Sequence, residues 1–253
     1  MELKDKILSS YVAFENDMDM NSDIHEIRTK ALENFEKLGF PSKKLEAWKY
    51  TSLNLILKND YCLFPNKETP IDLANVKKYL IQEIDSYKVV FIDGKYNSFL
   101  SETTHDTIDV CLMSAALTKP KYKIVIENYF NKIAKQDNLT SLNTAFAKEG
   151  VYIYIPKNVE VQKPIQIVNF TTGAEIATMM QPRNLIVVEE NAHVQIIERH
   201  QSLTSNAVLS NVVTEVFAAR NATIDYYKIQ NDNLNASLVD NTYIEQKTNS
   251  EVS

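Results

Sequence analysis

Hydrophobic positions along this chain keep two rhythms, and the change between them falls near Gly150. Before it, apolar residues recur every three or four positions. Leu3, Ile7, Tyr11 and Phe14 have helical spacing, and Ile24, Ile27, Ala31, Phe35 and Leu38 form the stripe of a second helix. Asp23, with Glu26 three residues on, suits the N-cap of that helix, and Gly39 and Pro41 stop it. Helical character is expected to about residue 60. The spacing also predicts helices near Asp72 to Gln82, from Tyr122 to Lys135 and from Leu139 to Lys148. Between them, Val89 to Ile92, Asp93-Gly94 and Lys95 to Asn97 predict a tight hairpin, because Asp-Gly accepts the turn that two-residue hairpins need.

From Val151 onward the period is two. Val151, Ile153 and Ile155 alternate with Tyr152 and Tyr154, and Leu185 to Val188 and Val212 to Phe217 are further strands rich in β-branched residues. One small pattern recurs through this half: Asn158-Val159-Glu160-Val161, Asn191-Ala192-His193-Val194, Asn221-Ala222-Thr223-Ile224 and Asn249-Ser250-Glu251-Val252, spaced by 33, 30 and 28 residues. Such a period marks stacked repeats, each burying its apolar face only against the next. Overlaying the copies puts Val159, Ala192, Ala222 and Ser250 on one face with Val161, Val194, Ile224 and Val252, pointing inward. Glu160, His193, Thr223 and Glu251 then point outward. Asparagine at each corner tolerates left-handed backbone. Strands of this length with corners every dozen residues suit a parallel β-helix. A β-sandwich would show tight hairpin turns, and 151–253 has neither Asn-Gly nor Asp-Gly. The fourth copy falls at the last residues, so more coil is expected after Ser253, with self-association through the open end or disorder after about Asp240.

Composition narrows the function. With 27 basic and 33 acidic residues and no basic block, nucleic acid and anionic membrane are poor partners. Two cysteines make no disulfide framework. The N-terminus lacks the apolar core of a signal peptide, and no apolar run reaches the ~18 residues of a spanning helix; the expected location is cytoplasmic. Only four glycines are present, none in a G-x-G context, which excludes glycine-rich phosphate loops.

Candidate chemistry is sparse. Iron–sulfur ligation wants clustered thiolates, but Cys62 and Cys111 are 49 residues apart and read as small buried hydrophobes. His193 and His200, seven apart, fall on opposite faces of a strand and cannot share a metal; His193 is expected to be exposed and His200 incidental. His25 lies in a first helical turn and His105 in a polar loop. Trp48 and Tyr50 around Lys49 could stack bases, yet packing against the first coil is the better account without more positive charge. Tyr152, Tyr154, Tyr226 and Tyr227 could make an exposed aromatic strip. Glu189, Glu190 and Glu198 could be cast as paired acids, although acids at a coil corner usually sit in solvent.

Three separated motifs, in order, resemble a known family. Gly39-Phe40-Pro41 with Glu46 to Thr51, then Leu142 to Pro156 with Lys163-Pro164-Ile165, then Leu185 to Ala192 are similar to the SufB/SufD family of iron–sulfur cluster assembly scaffolds, closest to SufD. The resemblance implies a right-handed parallel β-helix, a single-stranded solenoid, so the expected fold is mainly β. A helical or mixed N-terminal region (1–148) precedes the first coils (149–253). It further implies a non-catalytic scaffold subunit beside a SufB-like paralogue and the SufC-like ABC ATPase, handling an iron–sulfur cluster transiently in the complex. In the family the ATPase contact, the SufB–SufD pairing and a histidine implicated in assembly lie in later segments that no position here matches. No catalytic, cofactor-binding or metal residue is therefore assigned, and no cofactor is expected in this portion. The alternative is a carbohydrate-active or carbohydrate-binding β-helix of lyase or hydrolase type, needing a Ca²⁺ carboxylate cluster or an outward acid pair.

Overall fold

The asparagine corners set the architecture. In the computed structural model, which describes residues 2–16, 23–63, 76–81, 83–103, 105, 107–173 and 177–253, Asn158, Asn191, Asn221 and Asn249 have φ of 60°, 57°, 59° and 57°. This is the left-handed region, which asparagine enters more readily than other residues with a side chain. Asn191 Nδ2 donates to Asn158 Oδ1 at 2.9 Å and Asn221 Nδ2 to Asn191 Oδ1 at 2.8 Å. The corners therefore lie one above another.

Between them the chain winds as a β-solenoid of about three turns, built from two sheets. One sheet holds, in sequence order, β4 (Val151–Ile155), β7 (Arg183–Val188), β9 (Ala207–Ala218) and β11 (Ala236–Gln246), all parallel, with β6 (Ala177–Met180) beside the start of β9. The other holds β5 (Ile165–Thr171), β8 (His193–Ser202), β10 (Thr223–Asn231) and β12 (Glu251–Val252), also parallel. Both sheets reach back before Gly150. β1 (Tyr87–Ile92) pairs in parallel with β5 and turns through Asp93-Gly94 into β2 (Lys95–Tyr96), the expected hairpin, and β3 (Asp109–Leu112) pairs antiparallel with β4. The stretch after Asp240, where disorder was one expectation, is strand through Gln246.

The core between the sheets matches the face assignment. Val161, Ala192, Val194, Ala222 and Ile224 are buried there with Ile153, Ile155, Ile186, Val188 and Val216, and Val159 and Val252 pack at its margin. Glu160, His193, Thr223 and Glu251 stand next to one another on the opposite face.

Helices cover the outer face of the first sheet. α1 (Leu3–Asn16), α2 (Asp23–Leu38) and α5 (Asn138–Ala145) pack Ile7, Phe14, Phe35 and Leu142 against Met179 and Leu209. α3 (Met113–Thr118) and α4 (Lys123–Tyr129) cover Tyr152, Leu185, Val187 and Phe217. Two expectations shift. α4 ends at Tyr129 rather than near Lys135, because Asn131 takes φ 59° and the backbone that follows turns onto Glu215. Between Gly39 and residue 60 the chain forms two 3₁₀ turns, Glu46–Trp48 and Ile56–Lys58, in place of the expected helix. The helix expected near Asp72 to Gln82 falls mostly outside the described residues, as does the Asp23 side chain; Val76 and Lys77 are helical.

Candidate functional site

Inside the coil the chemistry changes along each strand. Beside the asparagine corners the sheets meet through aliphatic groups alone. Two positions further along the inward series, β8 passes from Val194 and Ile196 to Glu198 and His200, and β10 from Ile224 to Tyr226 and Lys228. β9 and β11 bring Thr214, Asp240 and Thr242. Residues two apart on a strand share a face, so once Val194 points inward Glu198 must as well.

The inward polar groups satisfy one another. Glu198 Oε1 lies 3.1 Å from His200 Nε2, and the Tyr226 hydroxyl donates to Glu198 Oε2. Lys228 crosses from one sheet to the other: its Nζ is 3.4 Å from Glu198 Oε2 and donates to Asp240 Oδ2 at 2.6 Å and Thr242 Oγ1 at 2.7 Å. Burial alone would raise the Glu198 pKa. The His200 hydrogen bond, the Lys228 charge and the Tyr226 hydroxyl outweigh burial and hold it at about 2. Tyr226 is pushed well above the usual phenol range, first by burial and then by the Glu198 charge. Solvent access is graded: the Glu198 side chain is fully buried, whereas that of Lys228 is 30% exposed. The set keeps a carboxylate ionised inside the coil, in contact with an imidazole, a phenol and an ammonium.

A second charged pair lies on the outer face of the other sheet. Arg183 Nη2 meets Glu215 Oε2 at 2.6 Å with both side chains fully buried. Glu215 also accepts the backbone N–H groups of Asn131, Ile133 and Ala134 at 2.7–3.1 Å. The Arg183 guanidinium stacks over Phe130 at 4.9 Å and donates to Thr144 Oγ1. This pair bolts the 130–134 segment to the coil. A cavity of about 310 Å³ opens where α1 meets the first turn, lined by Phe14, Phe146, Glu149, Asn169 and Met180, and burial raises the Glu149 carboxyl above its usual range.

The sequence candidates separate in space. Cys62 bonds through its backbone to β6, and Cys111 sits in β3, its thiol pushed up by burial. Among the described residues no three His, Cys, Asp or Glu side chains are placed to hold a metal. His193 and His200 do face opposite ways. His193 is half-buried, 3.5 Å from Asp225, but His200 is buried against Glu198 and is not incidental. His25 contacts Glu15, and His105 packs on Tyr87. The tyrosines form no strip: Tyr152 is buried beneath Tyr122, Tyr154 is half-buried with its hydroxyl on Glu189, and Tyr226 points inward. Of these four, Tyr227 alone is exposed. Nor do the acids gather on one outward surface, since Glu190 pairs with Arg220 at the corner and Glu198 is inside. Glu198 does not sit in solvent as a coil-corner acid would; alternation by two from Val194 places it inside.

Two family descriptions match the chain in sequence order. The description "SufBD protein N-terminal region" matches residues 1–167, and "SUF system FeS cluster assembly, SufBD core domain" matches 169–253. The chain belongs to the SufBD family. It is 26% identical over 228 residues to an iron–sulfur cluster assembly SufBD family protein of Synechocystis, covering 87% of this chain and 50% of that one. It is 26% identical over 236 residues to SufD of Bacillus subtilis, with shares of 87% and 50%, and 21% identical over 207 residues to SufD of Escherichia coli, with 80% and 45%. This SufBD chain spans about half the length of the curated relatives it matches. No helix among the described residues is long and apolar enough to cross a membrane.

Proposed function

We propose that this SufBD chain serves iron–sulfur cluster assembly as a non-catalytic, SufD-like scaffold, beside a SufB-like paralogue and a SufC-like ABC ATPase, in the cytoplasm. The cluster is the cargo of that complex rather than a resident cofactor of this chain. The observation that carries the reading is the pair of family matches, N-terminal region then core domain, laid in order over a helical layer and a stacked coil. One feature supports a scaffold: around Glu198 the coil interior is filled by side chains that satisfy one another. The test is co-expression of the full gene product with the paralogue and the ATPase. The three are expected to elute together; elution of the SufBD protein alone at every salt concentration overturns the proposal.

A further inference from the structure

The motif around Trp48 is left unexplained by the scaffold reading. From Lys37 to Lys58 the chain carries five lysines and one glutamate, a net of +4 within a protein of net −6. The segment is ordered by its own turns: Leu45 N–H bonds Ser42 C=O at 3.0 Å, Trp48 N–H bonds Leu45 C=O at 2.9 Å, and Thr51 N–H bonds Trp48 C=O at 3.1 Å. Leu53 is buried, and Phe40, Trp48, Ile56 and Leu57 pack at the margin of the helical core, which anchors it. Yet Tyr50 is 89% exposed, Leu55 78% and Leu45 43%. Three large apolar side chains, one of them an aromatic of the kind that anchors docking surfaces, are held out by a fixed backbone among lysines. Lys49 lies over the Tyr50 ring at 5.4 Å, so the ring is partly pre-set.

We propose that residues 43–58 dock an acidic protein surface, with Tyr50, Leu55 and Leu45 entering apolar recesses and Lys43, Lys44, Lys49 and Lys58 meeting the carboxylates around them. Charge complementarity selects this occupant. A polyanionic nucleic acid is repelled by the rest of an acidic chain and is normally met by a larger basic footprint. A bilayer surface favours a long amphipathic helix, whereas this segment has two three-residue turns. The inference rests on the segment's own charge and exposure and stands apart from the assembly proposal.

Trp48 is the only tryptophan, so its emission reports on the site without a label. The probes are tryptophan-free peptides combining Glu with Leu or Phe in varied order, their Lys-for-Glu counterparts, oligo-dT, and phosphatidylserine vesicles. Acidic peptides are expected to shift Trp48 emission saturably and more weakly as salt rises. Y50A/L55A and K43E/K44E/K49E are each expected to weaken that binding tenfold or more with an unchanged far-UV spectrum. Silence toward every acidic peptide, equal response to the basic set, tighter binding of oligo-dT or vesicles, or unaltered binding by folded variants overturns the proposal.

Discussion

Glu198 and Glu215 are buried carboxylates on neighbouring strands of the coil sequence, one facing inward and the other outward. Glu215 is sealed under the 130–134 segment by an arginine and three backbone N–H groups. Glu198 has a histidine, a tyrosine and a lysine, and that lysine, unlike the carboxylate itself, is partly open to solvent. The difference follows from what lies over each. A carboxylate between packed layers needs donors fixed by backbone, and removing it strands them all. A carboxylate within a stacked coil takes donors from its own strand and from the next turn, so its charge is tied to how that turn sits.

The largest break in this comparison is expected at Glu215→Ala. It leaves the Arg183 charge buried without its partner and should cost about 3–5 kcal/mol, read from denaturant midpoints. The double variant R183M/E215L should recover only part, because three N–H groups still lack an acceptor. Full recovery would show that the ion pair alone matters. Glu198→Gln is expected to be milder, about 1–3 kcal/mol near neutral pH, with a distinct pH signature. The folded pKa of about 2 lies below the ordinary ~4.3 of glutamate, so the unfolded chain binds the proton more readily. The stability contributed by ionised Glu198 is therefore present above about pH 4 and lost as pH falls toward 2. Glu198→Gln should flatten that acid limb, and an unchanged limb in urea unfolding between pH 5 and pH 2 would contradict the assignment. At the solvent side, Asn191→Ala should cost about 1–2 kcal/mol through left-handed backbone strain, and Asn191→Gly less, since glycine accepts φ 57° while losing the same amide bonds. Equal thermal shifts for the two would transfer the effect to the amide ladder.

The corners, the face assignment and the 89–97 hairpin were legible because each rests on a local rule: asparagine at positive φ, alternation by two, Asp-Gly in a tight turn. The Glu198 set was legible in principle, as it continues the Val194–Ile196 series. What a periodic reading could not supply is what lies on top. Tyr152 does point away from the coil axis, as alternation requires, yet α3 and α4 bury it. Arg183 and Glu215, 32 residues apart, become partners only once the sheets and the 130–134 segment are in place. The resemblance at Glu46 to Thr51 located a segment without indicating that Tyr50 would stand in water.

The asparagine ladder has an evolutionary corollary. Each corner offers its neighbours the same amide donor, the same amide acceptor and the same backbone angle, so a duplicated stretch of about thirty residues bounded by two such corners could be spliced in with every inward position kept inward. Growth of the solenoid by whole turns is the mutational step that its geometry forgives most readily.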